Sequence, residues 1–142
     1  MAYITGIAHI NLTVLPNTLD AAAEFWSDTL GFTEVPVPEL QRGTLKWFDI
    51  TPGGQQIHLA YDYPTSSTLS QPSRRHPCFK VGSPELLRQL QEKVWAHHQK
   101  GVASSPKTCD QPGEENSGAK GKEYAQRFFC ADWSGNRIEI SL

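Results

Sequence analysis

Hydrophobic and polar residues follow two periods along this chain, one of two residues and one of three to four. Residues 9–14 alternate polar and apolar side chains, which predicts a strand with one buried face. Residues 19–30 then repeat Leu, Ala and Trp at helical spacing, which predicts a helix that Gly31 ends. Alternating or aromatic-rich runs that are typical of strands follow at 33–37, 45–50 and 55–61.

The second half of the chain repeats this order of elements. Ser83 followed by Pro84 is typical of a helix start, and Gly101 marks the expected end of that helix. The apolar stripe of this helix is expected to consist of Leu86, Leu87, Leu90 and Val94. Strands are predicted at 76–81, 127–131 and 137–142. One further strand of this half has no clear pattern.

The two halves also match residue by residue at both ends. His9 opens the first half and His76 the second, and in each case a Val follows five residues later and a Leu ten residues later. A Gly precedes His58 by four residues, and another Gly precedes Glu139 by the same interval. Self-similarity in register predicts two copies of one supersecondary unit.

These elements predict an α+β fold in which two βαβββ modules form one domain over residues 1–142. The first module covers about 5–62 and the second about 73–142. The second is longer, and its additional residues fall in a polar, Gly- and Pro-rich stretch at about 103–122, which predicts a long loop. We expect this loop to be either a lid over a pocket or an unstructured surface segment.

The ionisable residues of the repeat share one face of each predicted sheet. Because side chains alternate along a strand, His9 and His76 lie opposite the apolar residues that pack on the helices. His58 and Glu139 have the same orientation in the closing strands. Imidazole nitrogen and carboxylate oxygen together suit divalent zinc, nickel, cobalt, manganese or iron. We therefore predict that His9, His76 and Glu139 bind a metal ion, with His58 open as a fourth ligand or a neighbour of the site.

Other residues on these polar faces are candidates for substrate binding. The polar candidates are Asn11, Gln56, Cys78 and Arg127. The aromatic candidates are Trp47 and Phe129, each of which is one of two adjacent aromatic residues on a predicted strand. His97 and His98 lie in the last turn of the second helix, where we expect solvated side chains.

Composition narrows the classes of function. The chain has 142 residues, 38% hydrophobic and 20% charged, which is typical of one folded domain. A formal net charge of −2 with scattered Lys and Arg argues against nucleic acid as a partner, and no apolar stretch has the length of a membrane span. The 3 cysteines have no metal-site or disulfide spacing, so we expect free thiols and a cytoplasmic location.

The sequence resembles the glyoxalase, bleomycin-resistance and dioxygenase superfamily, also called vicinal oxygen chelate proteins. The resemblance is carried by the segments GIAHINLTV, AAAEFWSDTLGF, QQIHLAY, RRHPCFKV and FFCADWSGNRIEISL. In the last segment, Asp132, Gly135, Asn136 and Glu139 fall as in the family's DP.GN.IE ending. The chain departs from the family at Trp133, where Pro is usual, and at His58, where glyoxalase I usually has a carboxylate.

The resemblance implies curved mixed sheets around a metal and substrate cavity. It places the metal ligands at His9, His58, His76 and Glu139, and it implies a homodimer whose sites combine modules of both chains. The neutral imidazole at His58 argues against the isomerisation of a glutathione hemithioacetal, because the carboxylate that glyoxalase I usually has at this position, a candidate base, is replaced.

The residues and the resemblance together indicate three possible functions, each of which involves a small molecule. The first is Lewis-acid catalysis of the lyase or isomerase type on a carbonyl or hydroxy compound, in which Glu139 or His58 moves the proton. The second is oxygen chemistry of the extradiol dioxygenase type, because two His and one carboxylate form the facial triad of non-haem ferrous enzymes. The third is a metal-free binding protein for a drug or metabolite, as in bleomycin resistance.

Overall fold

A computed structural model of the chain describes residues 3, 6–62, 74–117 and 126–142. The chain divides into two compact units, Met1–Pro64 and Thr65–Leu142. The last part of the predicted loop, residues 118–122, lies outside the described residues.

Unit 1 is a four-stranded mixed sheet. Its strands are β1 (His9–Val14), β2 (Thr33–Val35), β3 (Leu45–Asp49) and β4 (Gln56–Tyr61). They are ordered β1-β4-β3-β2, with β1 parallel to β4 and the other neighbours antiparallel. The period of two residues thus predicted each strand of this unit to within two residues at either end.

The helical segment of unit 1 lies where the sequence predicted it but is not a regular α-helix. A 3-10 turn at Leu19–Ala21 leads into a π-helix at Ala23–Thr29. The wider turn is closed by the amide of Leu30, which donates to the Phe25 carbonyl at 3.0 Å. Because a wider turn brings consecutive residues nearer to one face, both Phe25 and Trp26 are fully buried. A further 3-10 turn, Glu39–Gln41, lies between β2 and β3.

Unit 2 repeats the strand order of unit 1. Its elements are β5 (Cys78–Lys80), helix α1 (Pro84–Lys100), β6 (Thr108–Cys109), β7 (Arg127–Ala131) and β8 (Arg137–Ser141). The order is β5-β8-β7-β6, with β5 parallel to β8. The strand missing from the sequence pattern is β6, which lies inside the segment predicted as loop. Its two residues are too few to show an alternation.

Helix α1 begins and ends as predicted. The Ser83 hydroxyl accepts a hydrogen bond from the Leu86 amide at 3.2 Å, Pro84 occupies the first turn, and Gly101 ends the helix with a φ of 63°. The buried stripe differs from the prediction, because Leu86 is 52% exposed. The buried residues of α1 are Leu87, Gln91, Val94 and His97.

The prediction of solvated His97 and His98 is wrong for His97, which is 3% exposed. Its Nε2 lies 3.1 Å from the Ser104 hydroxyl, and the Ser105 hydroxyl donates to the His97 carbonyl at 2.7 Å. The Nδ1 of His98 lies 2.7 Å from the Pro106 carbonyl. The segment after α1 therefore folds back and supplies polar partners for the end of the helix. Within the described residues, no helix is long and apolar enough to cross a membrane.

Candidate metal and substrate site

The internal repeat places equivalent residues at equivalent positions of the two sheets. Asn11 lies opposite His58 across β1 and β4, and Cys78 lies opposite Glu139 across β5 and β8. His9 stands two residues before Asn11 on β1 and therefore shares its face. His76 precedes β5, and its contact with Glu139 places it on the same side as Cys78 and Glu139. We call the face with His9, Asn11 and His58 the polar face of unit 1, and the face with His76, Cys78 and Glu139 the polar face of unit 2.

The polar face of unit 1 holds a stack of three aromatic rings. His9 and His58 lie with ring centroids 4.0 Å apart and an interplanar angle of 11°. Trp47 lies on the other side of His58, with centroids 4.3 Å apart and an angle of 7°. The structure thus brings the two predicted ligands of this unit together and makes Trp47 the aromatic residue that faces them. Its neighbour Phe48 is buried in the core.

A chain of hydrogen bonds orients the His58 ring. Gln56 Nε2 donates to Asp49 Oδ1 at 2.7 Å, so Gln56 Oε1 is left to accept from His58 Nε2, which lies 2.8 Å away. The other oxygen of Asp49 accepts from the Gly53 amide at 3.2 Å. His58 therefore carries its proton on Nε2, and Nδ1 holds the lone pair.

Burial lowers the pKa of His58, and the neighbouring His9 lowers it further. Burial disfavours the charged imidazolium, and a second positive ring beside it would repel it. His58 is therefore neutral at neutral pH, the form in which imidazole can bind a metal or accept a proton.

The polar face of unit 2 holds the other predicted pair. His76 Nε2 lies 2.9 Å from Glu139 Oε2, and Arg127 Nη1 lies 2.9 Å from Glu139 Oε1. His76 Nδ1 donates to the Arg74 carbonyl at 2.6 Å, which leaves Nε2 as the nitrogen that points at Glu139. Metal-binding histidines commonly use this arrangement, because a bond from one ring nitrogen to a carbonyl fixes the lone pair on the other.

The pair in unit 2 fits a divalent cation better than the pair in unit 1. Bonds of about 2.1 Å to two adjacent ligands of an octahedral ion set those atoms about 3.0 Å apart. His76 Nε2 and Glu139 Oε2 lie 2.9 Å apart, which is a hydrogen-bond distance and is also the separation at which both atoms could bind one cation in place of the shared proton. His9 and His58 have parallel rings, so their lone pairs do not converge without a tilt of one ring.

The four predicted ligands form two pairs, and each pair belongs to one unit. Across residues 6–62, 74–117 and 126–142, no group of three or more His, Cys, Asp or Glu side chains is gathered closely enough to hold a metal ion. Each pair supplies two of the donors that a site requires.

Aromatic and sulfur side chains complete the polar face of unit 2. Phe129 lies opposite Glu139 and meets the His76 ring edge-on, with centroids 5.2 Å apart. The exposed Cys78 lies beside Glu139, and desolvation and then the Glu139 charge raise the pKa of its thiol. A raised thiol pKa makes Cys78 a neutral contact at this face and a poor nucleophile.

Two further residues of these faces, Asp49 and Arg137, were not among the candidates named from the sequence, although the alternation of β8 places Arg137 on the same face as Glu139. Asp49 orients Gln56, and it follows Trp47 by two residues on β3, so the same alternation could have found it. Arg137 precedes Glu139 by two residues on β8, and its guanidinium lies 4.2 Å from the centre of the Phe129 ring. Neither residue is part of the repeated pattern. Gln56 of unit 1, for example, stands where unit 2 has Arg137.

The turn between β7 and β8 fixes the strand that carries Glu139. Asp132 is fully buried, and its Oδ1 accepts from the Ser134 and Asn136 amides at 2.9 Å each. Its Oδ2 accepts from Asn136 Nδ2 at 2.9 Å. Burial raises the pKa of Asp132 to about 6, although these hydrogen bonds favour the charged form.

Comparison with known proteins agrees with this architecture. The sequence model of the Glyoxalase/Bleomycin resistance protein/Dioxygenase superfamily matches residues 6–140. The chain therefore belongs to this superfamily, which confirms the resemblance seen in the sequence and the predicted fold class. No curated protein sequence matches the chain.

Solved structures with a similar fold include proteins of different kinds. A glyoxalase family protein from Bacillus anthracis is 25% identical, with coverage of 99% of this chain and 96% of that one and a TM-score of 0.67. The fosfomycin resistance protein FosX from Listeria monocytogenes, solved with Mn(II) and a dihydroxypropylphosphonic acid, is 17% identical, with coverage of 97% and 90% and a TM-score of 0.66. TnmS3, an antibiotic binding protein from Streptomyces sp. CB03234, is 15% identical, with coverage of 99% and 98% and a TM-score of 0.64.

Proposed function

We propose that the chain is a metal-dependent enzyme that acts on a small substrate with a carbonyl or hydroxy oxygen, by lyase or isomerase chemistry. The proposed ligands are His9, His76 and Glu139, with His58 as the fourth. The observation that carries the proposal is the 2.9 Å contact between His76 Nε2 and Glu139 Oε2, beside an Nδ1 already bonded to a backbone carbonyl. FosX, which has a similar fold, was solved with Mn(II).

A divalent cation at this site would polarise the substrate oxygen and stabilise the negative charge that develops on it. Glu139 and His58 are the proposed groups that move the proton. Arg127 holds one oxygen of Glu139, which leaves the other for the site. His58 is neutral, and the single lone pair on its Nδ1 can either bind the metal or accept a proton, so His58 would act as the base only where it is not a ligand.

The proposed substrate-binding residues occupy the two polar faces. They are Asn11, Gln56, Trp47, Cys78, Phe129 and Arg127. Their mixture of aromatic rings with a few hydrogen-bonding groups is typical of sites for small organic molecules.

The test is the metal affinity of purified protein, for manganese, iron, cobalt, nickel and zinc, measured by titration and elemental analysis. Glu139→Gln replaces an anionic ligand by a neutral amide, and we expect a loss of at least about tenfold in affinity. Glu92→Gln is the matched control, because Glu92 has a side chain 52% exposed on α1, where it pairs with Arg88. Wild-type protein that binds none of these metals, or Glu139→Gln that binds as well as wild type, would contradict the proposal.

A second candidate is a ferrous dioxygenase of the extradiol type. It would use His9, His76 and Glu139, a set of two His and one carboxylate, and His58, stacked between His9 and Trp47, would then be a neighbour of the metal and not a ligand. Uptake of oxygen with a catechol, dependent on added ferrous iron, would distinguish it from Lewis-acid catalysis.

A third candidate is a binding protein without turnover, and the ring stack of unit 1 favours it. The stack offers a flat surface to an aromatic ligand. The Nε1 of Trp47 is buried and has no hydrogen-bond partner among the described residues. Tight binding that a chelator does not change, without product, would support this candidate.

A further inference from the structure

The polar faces of the two units differ in charge. The strand residues with a positive charge on the polar face of unit 2 are Lys80, Arg127 and Arg137. Glu139 is the one carboxylate among the strand residues of this face. In unit 1, the positions equivalent to Arg127 and Arg137 hold Leu45 and Gln56, which are neutral. The arginines at these two positions therefore occur in only one copy of the repeat.

Arg127 and Arg137 stand in different surroundings. Arg127 Nη1 lies 2.9 Å from Glu139 Oε1, so its charge is matched. Arg137 forms no ion pair with a residue of the described segments, and its guanidinium carbon lies 4.2 Å from the centre of the Phe129 ring. Lys80 and Arg137 therefore have no carboxylate partner among the described residues, and Arg137 is the one of the two that a contact with an aromatic ring holds in place.

A cation–π contact with Phe129 holds Arg137, whose guanidinium carbon lies over the ring, 4.2 Å from its centre. Such a contact needs none of the guanidinium N–H groups, which lie in the plane of the group and can donate to a ligand. Phe129 in turn meets His76 edge-on, with centroids 5.2 Å apart, so the position of Arg137 is tied to the proposed metal ligands. A planar fork of donors held this way suits an oxyanion with two oxygens to offer.

We propose that Arg137 binds an oxyanion of the substrate, a carboxylate or a phosphonate, beside the proposed metal site. The inference rests on the proposed function and narrows its substrates to small acids. Residues two apart on a strand are separated by about 7 Å, so the acid group lies a short carbon chain away from the oxygen held near Glu139. Gln56, at the equivalent position of unit 1, already bonds Asp49 and His58 and takes no such role.

The experiment measures binding of acetate, methylphosphonate and neutral acetamide by NMR, at fixed ionic strength, in metal-free and in manganese-loaded protein. We expect Arg137→Gln to weaken binding of at least one anion by about tenfold to a hundredfold, the usual range for a charge-assisted hydrogen bond. Arg137→Lys, which keeps the charge and loses the fork, should fall between wild type and Arg137→Gln. The matched control is Arg88→Gln, because Arg88 is an exposed Arg on α1 of the same unit.

The outcomes separate the two proposals. Anion binding that depends on Arg137 in a protein that binds no metal would sustain this inference while the proposed metal function fails. Metal binding with an anion affinity that Arg137→Gln leaves unchanged would overturn this inference alone. Equal losses in Arg137→Gln and Arg88→Gln, or acetamide bound as well as acetate, would also overturn it. Preference for acetate or for methylphosphonate would identify the acid group. The thermal unfolding midpoint of each variant checks that it is folded.

Discussion

His58 has the most constrained surroundings of the four proposed ligands. It is 8% exposed, it lies between the rings of His9 and Trp47, and its Nε2 is bonded to Gln56. Burial and the neighbouring His9 lower its pKa. The residue is therefore set to be neutral at a pH where a solvated histidine is partly charged.

The effect of His9 on His58 can be measured directly. In metal-free His9→Ala, we expect the pKa of His58 to rise toward 6.5 but to remain below it, because burial is the larger cause and persists. An NMR titration of the imidazole Cε1–H signals reports both values. A pKa that stays the same or falls would show that the two rings do not interact.

The sign of the pH effect on stability follows from the same shift. Just below pH 6.5 the unfolded chain binds more protons at His58 than the folded chain does. The contribution of His58 to the free energy of unfolding therefore rises with pH through that window.

The contacts of single residues show which parts of the candidate site the sequence can predict. Period-two alternation predicted that His9, His58 and Glu139 lie on the polar faces of their sheets, because strand geometry fixes the face of a side chain. The division of the four proposed ligands into two pairs was not predicted. Alternation also could not predict the contact between Arg137 and Phe129 or the role of the Arg74 carbonyl. The contact between Arg137 and Phe129 depends on side-chain rotamers, and the role of the Arg74 carbonyl depends on the backbone before β5.

At the scale of elements, the caps of α1 were predictable and its buried stripe was not. Ser83, Pro84 and Gly101 act on their own turns, so a local rule finds them. Gln91 and His97 are buried because partners reach them from the following segment: Gln91 Nε2 donates to the Asp110 carbonyl at 3.0 Å, and His97 meets Ser104. A search for apolar periodicity overlooks polar residues whose partners come from elsewhere in the chain.

Gly101 supports the end of α1 through its backbone alone. Its φ is +63°, and a Cβ built there would meet no atom within 4 Å. We expect Gly101→Ala to lower the free energy of unfolding by about 1 kcal/mol, because side chains disfavour this conformation. Gly82→Ala is the control, since its Cβ would meet only Leu86 Cδ1 at an ordinary 3.9 Å and its φ is not in the left-handed region. Chemical denaturation measures both, and equal losses would contradict the assignment.

Asp132, in the turn between β7 and β8, changes the free energy of unfolding with pH in the opposite direction to His58. Its pKa in the folded chain, about 6, exceeds the usual value of 3.8, so the folded chain binds more protons between these limits. Its contribution to the free energy of unfolding therefore falls as pH rises from about 4 to 6. Asp132→Asn keeps an acceptor for the Ser134 and Asn136 amides without the charge. We expect urea unfolding of this variant to lack that decline, and an identical decline would refute the role of Asp132.

At the scale of the whole molecule, we propose a homodimer whose sites each combine the donor pair of unit 1 from one chain with that of unit 2 from the other. The sequence could predict that the two units have the same strand order, because matched His, Val and Leu positions align one half of the chain with the other. The assembly was expected only from the family resemblance, since a dimer contact has no periodic signature in one sequence.

Mixing of two inactive variants tests the shared site. His9→Ala and Glu139→Ala each remove one donor from every site. In a mixed dimer with shared sites, one site carries both substitutions and the other carries neither. We expect metal binding to recover in a mixture that is unfolded and refolded together, to about one intact site in each mixed dimer, with sedimentation measuring the dimer. Sites confined to single chains would give no recovery.

The donor pairs join the first strand of each unit to its last. His9 on β1 meets His58 on β4, and His76 just before β5 meets Glu139 on β8. Parallel pairing between strands so distant in sequence cannot form until the intervening chain is present. On the ribosome, the first imidazole pair can therefore assemble while the second unit is still being translated. The second pair cannot form until Glu139 itself has been translated, so a chain truncated before β8 would keep the first pair and lack the carboxylate of the second.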